Sequence, residues 1–248
     1  MYGPIFYTAG CTDALIRTET ILRSQGCQFA SEPNLCVTHL LLDVPSFRED
    51  GRLKCGISPD ALLPSFSPQV KIYGGLLSGK LPMEYQTVDL LADPFYTAEN
   101  ARITAHCAVR LAMEKLPRVL YGCPVLIIGW GRIGKCLAEL LHAMGALVTV
   151  AARNPSDRAM LDALGYDTLP TEGLGYSLLR FRVIFNTAPE LVLPAEAMSY
   201  ASCDCLKIDL ASQPGMEAPD VLWARGIPSK DAPESSAALI AKTILRLR

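Results

Sequence analysis

Three glycines at positions 129, 131 and 134 stand in the spacing G-x-G-x-x-G, within the string Gly129-Trp130-Gly131-Arg132-Ile133-Gly134. Residues of this kind at this spacing can seat a diphosphate. The first glycine permits a tight turn off a strand, the second lets a pyrophosphate approach bare main chain, and the third lets a helix pack close to that strand. The unpaired amides at the helix start, and the positive end of its dipole, then face the phosphates. The pattern occurs by chance in many chains, so its meaning depends on context. Here residues 125–128 form a short, wholly apolar run before the glycines, and Ile133, Leu137, Leu140, Leu141 and Met144 follow with helical period. A second apolar run covers 146–152. Strand, glycine turn, helix and strand in that order predict a dinucleotide-binding βαβ unit. The competing reading keeps the glycines for packing alone.

The identity of the nucleotide turns on the end of the second strand. An NAD site usually carries Asp or Glu there to bond the ribose 2′-hydroxyl. This chain has Arg153-Asn154, with Arg153 19 residues beyond Gly134 and no carboxylate on that strand end. A guanidinium can donate charge-assisted hydrogen bonds to a 2′-phosphate and stack on adenine. Each such bond is worth about 1.5–3 kcal/mol. The expected coenzyme is therefore NADP; if Arg153 only stacks on adenine, the site accepts either NADP or NAD. Arg158 is expected to be solvated on its helix.

These elements belong to a longer alternation. Strands are expected at 5–8 and 37–44, a helix at 13–24 stopped by Gly26, and short helices and strands through 56–84. A helix without Gly or Pro runs over 97–116. Beyond it come strand 125–128, helix 132–144, strand 146–152, helix 156–164, strand 182–186, helix 195–199 and strand 204–210, then a loop after Gly226 and a closing amphipathic helix over 235–247. The fold class is α/β in two lobes: a flavodoxin-like N-terminal lobe (1–98), a doubly wound Rossmann domain with its linking helix (99–231), and a C-terminal helix (232–248) packing across the lobes. Composition agrees. Of 248 residues, 50% are apolar and 19% charged, and the net charge of −2 supplies no basic footprint for nucleic acid. No stretch is long and apolar enough to span a membrane, and the N-terminus lacks a signal peptide's basic start, so a cytoplasmic protein is expected. Nine scattered cysteines, with Cys203 and Cys205 the one close pair, and three histidines, His39, His106 and His142, do not assemble a metal-ligand spacing. No metal is expected.

Longer strings extend the argument. Gly129-Trp-Gly-Arg-Ile-Gly134 is similar to G-F-G-R-x-G, and Gly145-Ala-Leu-Val-Thr-Val-Ala-Ala-Arg153 to G-A-x-V-x-V-x-A-R. Val183-Ile-Phe-Asn-Thr-Ala-Pro189 resembles D-I-x-x-N-T-x-P, Ile208-Asp-Leu-Ala-Ser-Gln-Pro-Gly215 matches I-D-L-A-S-x-P-G, and Gly226-Ile-Pro-Ser-Lys-Asp-Ala-Pro233 resembles G-L-P-G-x-x-A-P. These are strings of the A-type component of bacterial dipicolinate synthase, which the chain resembles most densely from Asn100 onward. That family's helix start has Glu-Gly where this chain has His106-Cys107, and Ser229 and Met216 replace family glycines. The resemblance implies a sporulation oxidoreductase subunit that, with a flavoprotein-like B subunit, converts dihydrodipicolinate to dipicolinate using a nicotinamide acceptor. It leaves homo-oligomerisation open.

In doubly wound sheets ligands lie beyond the carboxyl ends of the strands. That places Asn186, Thr187, Ala188, Pro189 and Asp209 beside the glycine turn, as hydrogen-bonding groups for ribose or amide, or else as a strand-end turn and a structural cap. Hydride transfer further needs a proton donor or acceptor, and a small dicarboxylate substrate needs cationic or hydrogen-bonding partners. The candidates for catalysis are Lys230, His106 with Arg102, and the neutral Asn100 and Thr104. Nothing in the sequence suggests a covalent nucleophile. The alternative to a hydride-transferring subunit is a non-catalytic NADP-binding regulatory or assembly subunit.

Overall fold

The computed structural model describes residues 3–248, and among them eleven parallel strands form two sheets whose central members grow from short apolar runs. Contacts gather the chain into two units. One holds the residues up to Asn100 together with Pro228–Arg248, the other Ala101–Ile227.

The first unit contains β1 (Ile5–Ala9), α1 (Asp13–Ser24), β2 (Gln28–Phe29), β3 (His39–Leu42), α2 (Pro59–Leu62), β4 (Lys71–Gly74) and β5 (Gln86–Asp89). Its sheet runs β2-β1-β3-β4-β5, all parallel, which is the flavodoxin-like order. One face buries Leu40, Leu42 and Ile72 against Leu62, Leu63 and Phe66. Thr12 caps α1 by accepting from the Leu15 amide, and Asp13 sits in its first turn. Asp43, buried at the end of β3, accepts from the amides of Cys11 and Thr12 at 3.0 and 3.1 Å and from the Thr12 hydroxyl.

The second unit follows α3 (Pro94–Lys115), within which the division between the units falls. It comprises β6 (Pro124–Ile128), α4 (Arg132–Ala143), β7 (Leu147–Ala151), α5 (Pro155–Ala163), β8 (Asp167–Leu169), β9 (Val183–Asn186), α6 (Ala195–Met198), β10 (Leu206–Asp209) and β11 (Val221–Trp223). The sheet order is β11-β10-β9-β6-β7-β8, again parallel throughout. Counted within the unit this is 3-2-1-4-5-6 read from the far edge, the dinucleotide-binding arrangement with its switch between β6 and β9. Central strands are buried on both faces, so their residues alternate between two cores rather than between core and water. Val125 and Ile127 pack with Ala105, Ala108, Leu137 and Leu141, while Leu126 and Ile128 pack with Leu178, Leu193 and Met198.

Both α/β regions expected from sequence are present. The C-terminal segment forms α7 (Ile227–Asp231) and α8 (Pro233–Leu247), and α8 lies on α1 in the first unit, with Arg17 paired to Glu234. α7 replaces the loop expected after Gly226. Its five residues carry no apolar period, which is why sequence pattern hid it. β2, β5, β8 and β11 were also unanticipated, being edge or near-edge strands of two to four residues, too short to show alternation.

Candidate coenzyme site

The site is built on the turn between β6 and α4. Gly129 has φ +99°, in the left-handed region, and its amide donates to the Ala151 carbonyl at 2.9 Å, tying the turn to β7. A Cβ on Gly129 would lie 2.6 Å from Thr187 Oγ1, and one on Gly134 only 2.1 Å from the Gly129 carbonyl oxygen. The helix therefore sits directly against the turn, an approach no larger residue allows. Gly131 differs from both. It is the N-cap of α4, with φ −78°, and a Cβ there would meet nothing within 4 Å. No side chain caps α4. The first turn of a twelve-residue helix thus ends in bare main chain beside open space, the arrangement an anion requires.

Around this turn the chain spends its side chains on rigidity. Thr187 donates from Oγ1 to the Ile128 carbonyl at 2.9 Å, directly beneath Gly129. Trp130, half-buried, stands 6.1 Å from Tyr166 between ring centroids, and the Lys135 ammonium lies 5.6 Å from the indole. Burial first, and Glu139 second, push the Cys136 thiol and the Tyr166 phenol upward, so neither brings negative charge to the helix start at neutral pH. Arg132 is exposed at the first position of α4, with Ile133 half-buried behind it.

Beyond β9 and β10 the loops are stitched together by two fully buried polar residues. Asn186 Nδ2 donates to Asp209 Oδ1 at 2.9 Å and to the Ala188 carbonyl at 3.0 Å, while its Oδ1 accepts from the Ala188 amide. Asp209 also accepts from the amides of Ala211 and Gly215, at 3.0 and 2.7 Å. Gly215 has no room for a side chain: a Cβ would fall 2.3 Å from Asn186 Nδ2 and 2.6 Å from the Glu190 carbonyl oxygen. The structure thus brings Asn186 and Asp209 together, with these polar atoms engaged inside the protein.

At the end of β7, Asn154 caps α5 by accepting from the Ser156 amide at 2.9 Å. Arg158 is not a free surface group. Its Nη1 donates to the carbonyls of Ala152 and Arg153 at 2.7 and 2.8 Å, holding the strand end in place. Arg153 itself is exposed, and its Nη1 donates to both oxygens of Glu190, at 3.1 and 3.4 Å. Glu190 reaches this position from the loop after β9. The two residues line an open cleft of about 410 Å³, with Thr171, Glu172, Leu174 and Leu193 among its other walls. Sequence spacing gave no sign of Glu190 or of the 171–175 wall, because neither lies in a motif and both arrive by tertiary folding.

The residues expected to meet substrate are distributed over both units. Asn100 is half-buried and belongs to the first unit with exposed Lys230, while Thr104, buried, and His106, exposed, lie on α3 in the second. Among the described residues no group of three or more His, Cys, Asp or Glu could hold a metal ion, and no helix is long and apolar enough to cross a membrane.

No family model matches the chain. It is 27% identical over 156 residues to the A-type component of dipicolinate synthase from Bacillus subtilis, a stretch covering 60% of this chain and about half, 52%, of that relative. Among solved structures it is similar to the corresponding dipicolinate synthase component from Bacillus halodurans, with TM-score 0.85 at 20% identity over 99% of this chain and 98% of that one. The Bacillus subtilis dipicolinate synthase structure gives TM-score 0.83 at 20% identity, covering 100% of this chain and 96% of that one. At such identity the structures establish a shared fold across both units, and the matched relative supports the resemblance seen in the motif strings.

Proposed function

We propose that this chain is the coenzyme-binding subunit of an oxidoreductase like dipicolinate synthase, taking NADP in its second unit. The observation that carries the reading is the uncapped N-terminus of α4, beside a Gly131 whose missing side chain leaves open space, with Gly134 packed on Gly129. The residues present fit a dinucleotide. Gly129 to Gly134 would hold the diphosphate on main-chain amides. Arg153, with the cleft beside it, would take the adenosine end and its 2′-phosphate. Bound there, the coenzyme would supply a nicotinamide ring able to accept hydride.

The remaining roles fall to the chain's own groups. Asn186 and Asp209 are read as positioning residues that fix the loops through buried hydrogen bonds, with Thr187, Ala188 and Pro189 forming the wall those loops present. Of the groups named for substrate, exposed His106 in the second unit would accept the proton released as dihydrodipicolinate loses hydride. A flavoprotein-like B subunit is the expected partner in the cytoplasm of a sporulating cell. A second reading, coenzyme binding without turnover, draws support from His106-Cys107, since Cys107 is buried where the family strings have glycine.

The test is direct. Titration with NADPH and NADH should show saturable binding, tighter for NADPH. Dihydrodipicolinate and NADP⁺ should raise absorbance at 340 nm when the B subunit is present. Binding without an absorbance change favours the second reading, and failure to bind either coenzyme removes both.

A further inference from the structure

Arg153 is not waiting with a free guanidinium. One of its nitrogens already holds both oxygens of Glu190. We propose that Glu190 sets the coenzyme preference of this site, as the internal anion that a ribose 2′-phosphate must displace from Arg153. The inference rests on the coenzyme reading above and extends it to a residue outside every motif.

Both partners are held from behind. The carbonyl of Arg153 accepts from Arg158, and the Glu190 carbonyl is wedged over Gly215 beside the Asn186–Asp209 pair. Their heads are open to the cleft, with side-chain exposures of 72% for Arg153 and 56% for Glu190, so a ligand there can reach both. A phosphate monoester brings a charge of about −1.5 to −2 near neutral pH. Next to Glu190 it meets like charge, and it competes for the nitrogen that Glu190 occupies. A 2′-hydroxyl faces the opposite chemistry, because it can donate to the Glu190 carboxylate as it does to the strand-end acid of an NAD site. The pair therefore reads both ribose states, phosphate through Arg153 and hydroxyl through Glu190. Its net preference for phosphate is smaller than Arg153 alone would give.

The test compares Glu190→Gln with wild type in binding titrations using NADPH, NADH, 2′,5′-ADP and 5′-AMP. The substitution keeps shape and removes charge at an exposed position, so folding is preserved. NADPH and 2′,5′-ADP are expected to bind roughly three- to tenfold tighter to the variant, the range of an exposed ion pair plus one screened repulsion. NADH and 5′-AMP, which both present a 2′-hydroxyl to residue 190, should bind more weakly to the variant, and tighter binding of either would overturn the hydroxyl contact. Unchanged or weakened NADPH binding in the variant, with wild type binding NADPH normally, overturns the role of Glu190 and leaves the coenzyme site standing. Wild type that binds none of the four ligands overturns the site and this inference together.

Discussion

Replacing Gly131 and Gly134 separately by alanine should pull apart two roles that the spacing of the glycines merges. In Gly134→Ala the new methyl would sit 2.1 Å from the Gly129 carbonyl oxygen and 3.1 Å from its carbon, where ordinary contact starts near 3.4 Å. Both neighbours are backbone, so relief requires α4 to shift off the turn. Overpacking of that kind costs about 1–3 kcal/mol, or roughly 2–12 °C in melting temperature for a chain of this size. In Gly131→Ala the methyl enters open space with φ already at −78°, so the protein itself accepts it. Loss of a glycine N-cap accounts for about 1 kcal/mol or less. The methyl would nevertheless stand where a diphosphate must reach the amides. Losing one charge-assisted bond worth about 1.5–3 kcal/mol weakens binding by about ten- to a hundredfold. Thermal melts and NADPH titrations on the two variants give the answer. Gly131→Ala with wild-type NADPH affinity would refute the placement of the diphosphate, whatever Gly134→Ala does.

Three other outcomes are expected. Arg153→Ala should weaken NADPH by roughly tenfold, a lost charge-assisted bond, while NADH changes by less than about threefold; equal losses for both would remove the 2′-phosphate contact. Asp209→Ala leaves buried donors on Asn186, Ala211 and Gly215 without their acceptor, at about 1–3 kcal/mol for each that finds no water, so urea unfolding should shift strongly to lower denaturant. His39, in the first unit, is held below its usual value by burial first and by Lys71 and Arg248 next. Its folded pKa is depressed, so the stability it contributes is present above about 6.5 and is lost as pH falls through the folded value. Unfolding midpoints from pH 8 down to 5 should fall less steeply in His39→Gln than in wild type, and parallel curves would show that another group is responsible.

The glycine turn was legible because its geometry is local: the left-handed Gly129, the uncapped helix start and the close-packed Gly134 all fall within six residues. The parallel sheets were legible for a related reason, since strands buried on both faces read as short apolar runs. Edge strands such as Gln86–Asp89 gave no signal, because half their residues face water and four positions show no period. The Arg153–Glu190 pair was only half visible. Arg153 could be placed by counting from the glycines, but Glu190 meets it from 37 positions away, a distance set by the β7–β6–β9 neighbourhood and by no sequence rule. Arg158 looked like a helix-surface cation for the same reason: its acceptors are strand-end carbonyls, which composition does not announce. Asn186 and Asp209 were recognisable as a motif, whereas their mutual hydrogen bond was not.

Two parallel sheets leave their leading helices with differently finished heads. No side chain caps α4, whereas just ahead of α1 the Asp43 carboxyl takes the amides of Cys11 and Thr12 and the Thr12 hydroxyl, and Thr12 in turn caps the Leu15 amide. A phosphate approaching that first turn would meet the Asp43 carboxyl and the Thr12 cap in its path. The head of α4 is thus left to bare main chain, while the approach to α1 has become a permanent fastening.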